Sequence, residues 1–452
     1  MSETSRDARP TRTQEFLARR AEVVADGGGP ARTGRAAVVG PEPLAVAAGE
    51  GAWLTDLDGR RYVDWWLADG ALLFGHRPKP VLDAVVAQAT QAGTAFAAPH
   101  ELEYEVARKV VAAVPGADRV AFAPSAGAAV TLALRLARAF TGKERVLRFE
   151  GARHGLCDAV AVSTAPPPAA AGTARFPRPV PDGAGVPRAA EAAALVAPFN
   201  DLDAVAELLR RHDDDVAAVL VEPVLSGVAL VPPGDGFLAG LRRLCDEHGA
   251  LLVLDERLTG LRLAPGGAQE AFAAGADLVC LAGALGGGLA GAAAVAGRAE
   301  VMALAADGSV AVAEAGGDPL ALAAAAATLD IVLHDGERVY RHLAAVATAV
   351  AEGLRGLLRE QGVAGSVQQV GSLWQVAFGE RQPARTYREA LAADQRFAAR
   401  FRAECRARGV FLPDGAGACA ASTAHTRAEV DRTLAALAEA LKVTKERLGR
   451  PA

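Results

Sequence analysis

Asp255 and Glu256 close a short apolar run, Leu251–Leu254, of the kind that forms a strand covered on both faces. Open α/β sheets place ligand chemistry at the carboxyl ends of such strands, so this acidic pair is the first candidate for a site. Asp277–Leu281 is a second run of the same kind, and Gly286–Gly288 adds a flexible segment after it. Arg257 lies two residues beyond Asp255. A buried carboxylate needs a partner, and the Arg257 guanidinium is expected to pair with Asp255. Ser125 opens an apolar-striped helix, expected over Ala128–Phe140, where its plain role is that of N-cap. The stretch Gly286–Gly291 imitates a dinucleotide-binding turn but lacks the downstream acidic residue and the βαβ context.

The elements that must position these residues alternate between strand and helix. Strands are expected at Val120–Ala123, Val146–Phe149 and Val216–Val221, the last running into Glu222. Helices are expected at Pro78–Gln91, Glu101–Val114, Leu202–Arg211 and Gly236–His248. That alternation argues a doubly wound, mostly parallel sheet. Before it, Ala52–Asp64 alternates around Asp58–Gly59, a strong hairpin signal. Thr11–Val24 has the spacing of a short amphipathic helix, ended by Gly27–Gly29, and Met1–Pro10 is expected to be disordered. Thr164–Pro187 reads as a long surface loop, and Ala321–Ala327 as part of a buried helix. The tail carries helices at Val339–Glu360, Asp394–Arg408 and Arg427–Arg447, with strands near Ser372–Ala377. The expected division is a disordered segment with an N-terminal helix over 1–30, part of a small domain over 31–75, a large domain over 76–333 and a C-terminal small α+β domain over 334–452.

The bulk properties exclude several classes. A chain of 452 residues with 51% hydrophobic and 22% charged residues has the make-up of a soluble globular protein with a substantial core. Its formal charge of −5 leaves no basic footprint for nucleic acid. The cysteines Cys157, Cys245, Cys280, Cys405 and Cys419 are scattered, which argues against a disulfide framework and a zinc site and for a reducing cytoplasm. No membrane span and no signal peptide are expected.

Three segments carry a resemblance. Val221–Val224 (VEPV), Leu251–Arg262 (LLVLDERLTGLR) and Asp277–Gly288 (DLVCLAGALGGG) resemble the core of the class III aminotransferases, in particular the glutamate-1-semialdehyde aminomutase branch, which uses pyridoxal 5′-phosphate (PLP). The resemblance implies a fold-type I architecture, a large α/β domain with a smaller α+β domain, in a homodimer whose site lies at the interface. It also implies that Asp255 meets the pyridinium nitrogen of the cofactor, and that a Schiff-base lysine stands where this chain has Gly283. The only lysines are Lys79, Lys109, Lys143, Lys442 and Lys445, none near that segment.

Other positions of the implied cofactor site also differ. The phosphate turn reads Ser125-Ala126-Gly127, followed by Ala128 in place of a glutamate. Arg153, before His154-Gly155, replaces an aromatic residue that stacks on the ring, and a planar guanidinium can stack in its stead. Arg257 replaces a valine that meets the other ring face. Glu314 replaces a threonine donated by the second subunit, which sets a carboxylate toward a phosphate. A Ser-Trp pair of the N-terminal loop is changed to Ala68-Asp69.

From these departures the expectation is a fold retained with its cofactor site replaced, so that no PLP is bound. His154 is then the expected acid/base, with Asp255 or Glu222 as its orienting partner. Ser125, Arg153, Arg257, Glu314 and the Gly283 segment are expected to bind a small carboxylate-bearing substrate. One alternative is a non-catalytic subunit that serves as partner or scaffold. The other is an atypical PLP enzyme in which His154 is the base.

Overall fold

The computed structural model of the chain describes residues 11–25, 44–227, 229–312, 317–379, 382–413, 415 and 417–451. The expected disorder of Met1–Pro10, the stop at Gly27–Gly29 and the position of Glu314 lie outside the described residues. The first helix, Arg12–Val23, begins at a capping box. Thr11 accepts from the Gln14 amide, and the Gln14 side chain accepts from the Thr11 amide in return.

Strands β1 (Val46–Glu50), β2 (Trp53–Asp56) and β3 (Arg61–Asp64) form an antiparallel meander. The β2–β3 turn falls at Asp58–Gly59 as the sequence predicts, with Gly59 at φ 81°. Next come β4 (Arg119–Ala123), β5 (Arg145–Phe149), β6 (Ala194–Ala197), β7 (Val216–Val221), β8 (Leu251–Glu256), β9 (Leu278–Leu281) and β10 (Ala293–Gly297). Among the described residues these seven make one sheet in the order β4-β10-β9-β8-β7-β5-β6. The β5–β6, β5–β7, β7–β8 and β8–β9 pairings are parallel, and β10 alone runs against its neighbours. Every residue of β7 and β8 is buried, as expected for strands with helices on both faces.

Helix Ala126–Thr141 packs across the sheet, and its buried Val130, Leu134 and Ala137 join Val253, Leu278 and Val295 in one core. Helix Pro319–His334 packs on helices Lys79–Ala87 and Glu101–Ala113. The run Pro319–Glu360 contains an 18-residue stretch with a mean hydropathy of 1.2, enough by length and composition for a membrane-spanning helix. Here its two helices part at Asp335, and Leu322, Leu329, Val339 and Leu343 are buried in the core.

Beyond them, β11 (Gly365–Val370), β12 (Leu373–Phe378) and β14 (Cys419–Ala420) form a three-stranded sheet. The short β13 (Val410–Phe411) returns to pair in parallel with β3. The α/β class and the fold-type I arrangement implied by the resemblance are both observed.

One loop departs from ordinary backbone geometry. After β3, Leu67, Ala68 and Asp69 take φ of 52°, 54° and 61°, and Gly70 takes 80°. Left-handed backbone costs a non-glycine residue roughly 1–2 kcal/mol, and Asp tolerates it better than Leu or Ala. Three such residues in a row need support from outside. Asp64 accepts the Trp66 and Leu67 amides at 2.9 and 3.0 Å, and the buried Arg262 donates Nε to the Gly70 carbonyl. Arg262 also reaches the Ala421 carbonyl at 2.8 Å, which ties this turn to the C-terminal part of the chain.

Candidate functional site

The carboxyl ends of β7 and β8 lie side by side, since Val221 is in register with Leu254. This places Glu222 beside Asp255, both buried. Loops from flanking strands complete the cluster. The one after β5 carries Arg153 and His154, and the one after β9 carries Gly283. Arg148, fully buried in β5, fixes the first of these by donating to the carbonyls of Ala152 and Val160. Burial lowers the Arg148 pKa to about 10, against the opposing charges of Asp182, Glu222 and Asp255.

His154 Nδ1 lies 2.8 Å from Asp255 Oδ2, with side-chain exposures of 0% and 2%. Burial pushes the Asp255 carboxyl up, but the His154 contact and the Arg257 charge outweigh it and hold the group below its ordinary range. An ionised Asp255 makes His154 Nδ1 the donor. That assignment leaves His154 Nε2 buried with no hydrogen-bond partner.

Arg257 does not pair with Asp255 as the sequence predicts. Only its backbone amide reaches Asp255 Oδ1, at 3.2 Å. Its guanidinium turns to the left-handed turn, where Nη1 meets Asp69 Oδ2 at 2.5 Å. Arg153 Nη2 meets the same oxygen at 2.7 Å. The correction has a simple cause: His154 already satisfies Asp255, while Asp69 would otherwise face Arg153 alone. Glu222 Oε1 is 3.6 Å from Arg257 Nη2, and the Glu222 carboxyl accepts from the Ser226 amide and hydroxyl. Burial raises the Glu222 pKa despite His154 and Arg257. Arg257 itself stays firmly protonated, because Asp69, Glu222 and Asp255 outweigh its burial.

Ser125 takes the plain role foreseen for it. It caps helix Ala126–Thr141 by accepting the Ala128 amide at 3.2 Å, and it is exposed. The helix start still adjoins the cluster, since a Cβ on Gly155 would lie 3.1 Å from Gly127 Cα. Gly283 is shaped for glycine. Its φ is 58°, and a Cβ there would lie 2.6 Å from the Arg257 carbonyl. Lys143, which has no role here, holds the carbonyls of Asp213 and His248 ahead of β7 and β8, at the opposite end of the sheet.

The structure thus brings together His154, Asp255, Glu222, Arg153, Arg257 and the Gly283 segment, and leaves Ser125 on the rim. Asp69 is the member that sequence reasoning missed. Its signal was present: at the two arginine positions the resemblance implies uncharged groups, and Asp69 is an acid that departs from the implied pattern with them.

Comparison with known proteins is consistent with this geometry. The family model described as aminotransferase class-III matches residues 36–438. A glutamate-1-semialdehyde 2,1-aminomutase from Roseiflexus castenholzii is 43% identical over 91% of this chain and 93% of its own length. A solved structure described as a transaminase with PLP bound has 28% identity and a TM-score of 0.85 and covers 97% of this chain and 99% of its own. A lysine-to-alanine variant of a glutamate-1-semialdehyde aminomutase from Pseudomonas aeruginosa, solved in complex with PMP, has 29% identity and a TM-score of 0.78, with 89% of this chain and 88% of its own covered. These findings overturn the expectation of a PLP-independent protein and the alternative of a non-catalytic partner: the relatives are enzymes of a family that uses PLP or PMP. The physical reason is that a missing lysine removes only a covalent link, while the buried Asp255 carboxylate stays in place.

Proposed function

We propose, starting from the fact that this chain belongs to the class-III aminotransferase family, that it is an enzyme of amino-group transfer or migration using pyridoxamine or pyridoxal 5′-phosphate without a covalent link to the protein. The observation that carries this reading is the buried, ionised Asp255 held by His154. A fixed carboxylate in that place suits a protonated pyridine nitrogen. The start of helix Ala126–Thr141 supports the other end of the ligand. A helix start suits a phosphate, and Gly127 leaves open space where a side chain would stand. Gly283 offers no amine, so the cofactor would be held by these contacts alone.

When bound, this cofactor supplies an electron sink for carbon–nitrogen chemistry. The protein's own part is binding and proton placement. Asp255 keeps its charge next to the ring site, and His154 Nδ1 donates to it. His154 Nε2 is then a free acceptor in a dry environment, and we assign it the proton-carrying role. Glu222 holds its proton more tightly than an ordinary carboxyl and stands beside Arg257 as a second proton source. We take the substrate to be a small carboxylate-bearing amine or aldehyde, in line with the aminomutase relatives. We also propose a cytoplasmic homodimer. Exposed Leu82, Val86 and Tyr104, on two helices that both pack on Pro319–His334, favour the pairing of two copies.

Titration of the purified protein with PMP, followed by calorimetry and absorbance, tests the reading. Saturable binding that dialysis reverses is expected, weakened about ten-fold or more in Asp255→Ala, which corresponds to about 1.4 kcal/mol. Absence of PMP binding to the wild-type protein would overturn it.

A further inference from the structure

Three side chains on the open side of the cluster make an arrangement that cofactor binding does not explain. Arg153 and Arg257 converge on a single oxygen, Asp69 Oδ2, at 2.7 and 2.5 Å. Two cations therefore share one carboxylate. The next acid, Glu222, is 3.6 Å from Arg257 and is driven toward its neutral form by burial. Arg257 Nη2 is buried with no hydrogen-bond partner. Arg257 thus keeps one donor without an acceptor, and the nearest acceptor of both arginines is a single shared oxygen.

Solvent reaches the trio. Side-chain exposures are 33% for Arg153, 30% for Asp69 and 19% for Arg257, against 0% and 2% for His154 and Asp255. The carboxylate is also presented by strained backbone. Asp69 is the third of three consecutive left-handed non-glycine residues, and the turn is anchored on both sides of it, at the Leu67 amide and the Gly70 carbonyl. A held turn that projects one acid into a cationic pair is a seat that can be vacated by a change at that one side chain.

We propose that Asp69 occupies the seat of a ligand carboxylate between Arg153 and Arg257, and that a small carboxylate-bearing ligand binds by displacing it. Arg–carboxylate pairing is the strong, oriented kind of charge-assisted bond. A ligand with two carboxylate oxygens offers acceptors to both Arg153 and the unused Arg257 Nη2. Asp69 then acts as a built-in competitor that lowers apparent affinity by the fraction of time it is seated. This deepens the function proposed above by naming the group that selects the substrate, and it rests on that reading for the ligand being the substrate.

Calorimetric titration of the full chain with succinate, in the absence of cofactor, tests it. Asp69→Asn removes the charge while keeping a residue type that accepts left-handed backbone. It is expected to bind succinate about ten-fold more tightly than wild type, and adding Arg153→Met is expected to abolish that gain. Equal or weaker succinate binding by a folded Asp69→Asn overturns the proposal. A gain for inorganic phosphate but not succinate overturns the carboxylate assignment. Should Asp69→Asn fail to fold, the melting temperature of the wild-type protein decides: it is expected to rise with succinate, and not to rise in Arg153→Met. No rise in wild type overturns the proposal. Because cofactor is left out, failure of PMP binding leaves this inference standing, and failure here leaves PMP binding untouched.

Discussion

The two acidic residues at the heart of the cluster live under opposite conditions. Asp255 is sealed, with one imidazole and one backbone amide as partners, and its surroundings leave it no other arrangement. Asp69 is half-exposed, shares two guanidinium groups and stands on strained backbone. Both carboxyls are held below their ordinary range, yet for different reasons: a buried hydrogen-bonded pair in one case, two nearby cations in the other. The contrast separates a permanent charge, built into the fold, from an exchangeable one. A low pKa alone would not tell them apart. Exposure and backbone do.

The largest effect that would break this comparison is expected from Asp255→Ala. It leaves His154 buried with neither ring nitrogen satisfied, and removing one member of a buried pair costs about 3–5 kcal/mol. Urea unfolding measures it, and a loss under about 1 kcal/mol would mean that the pair is not sealed. Gly283→Lys is expected to rank next. Left-handed backbone and the nearby Arg257 carbonyl make any side chain there cost about 1–3 kcal/mol. That variant is expected to gain neither a covalent cofactor link nor transaminase turnover, as a spectral titration with PLP would reveal. Asp69→Asn is expected to have the smallest effect on stability, at most about 1 kcal/mol at neutral pH, as for other half-exposed ion pairs. Its trace is in acid. Because the folded Asp69 carboxyl lies below the ordinary 3.8, its contribution is complete above that value and disappears as pH falls through the folded pKa. The acid limb of a stability–pH curve is therefore expected to be shallower in Asp69→Asn than in wild type.

Where side-chain period and turn chemistry were strong, the sequence was readable. The Asp58–Gly59 turn, helix Leu202–Arg211 and strand Val216–Val221 lie where their patterns put them. Strands β6 and β10 were not foreseen, and composition explains why. Ala194–Ala197 and Ala293–Gly297 are alanine-rich, with neither alternation nor a β-branched run, and they sit in sequence that reads equally well as helix. The reversed direction of β10 has no local signal at all. In the site, His154, Asp255 and Glu222 were legible as candidates, but the sequence left Asp255 or Glu222 open as the partner of His154 and matched Asp255 with Arg257 instead. The partner of Arg257 was not, because Asp69 lies 188 positions away and only the fold brings it near. The cofactor was misjudged for a different reason: the absent amine at Gly283 and the other departures outweighed the retained Asp255 carboxylate.

The pairing of β13 with β3 has a consequence for how the molecule is made. Val63 and Asp64 wait for Val410 and Phe411, which are made only after all seven strands of the large sheet. Until then the hairpin has a bare edge, a hazard for a nascent polypeptide. Asp64 is also the residue that supports the Leu67 end of the left-handed turn, and Arg262 needs the Ala421 carbonyl for its grip on the other end. The seat of Asp69 is therefore set only after the seven-stranded sheet has been made, and a chain cut short before Val410 would carry that sheet with the turn around Asp69 unsupported.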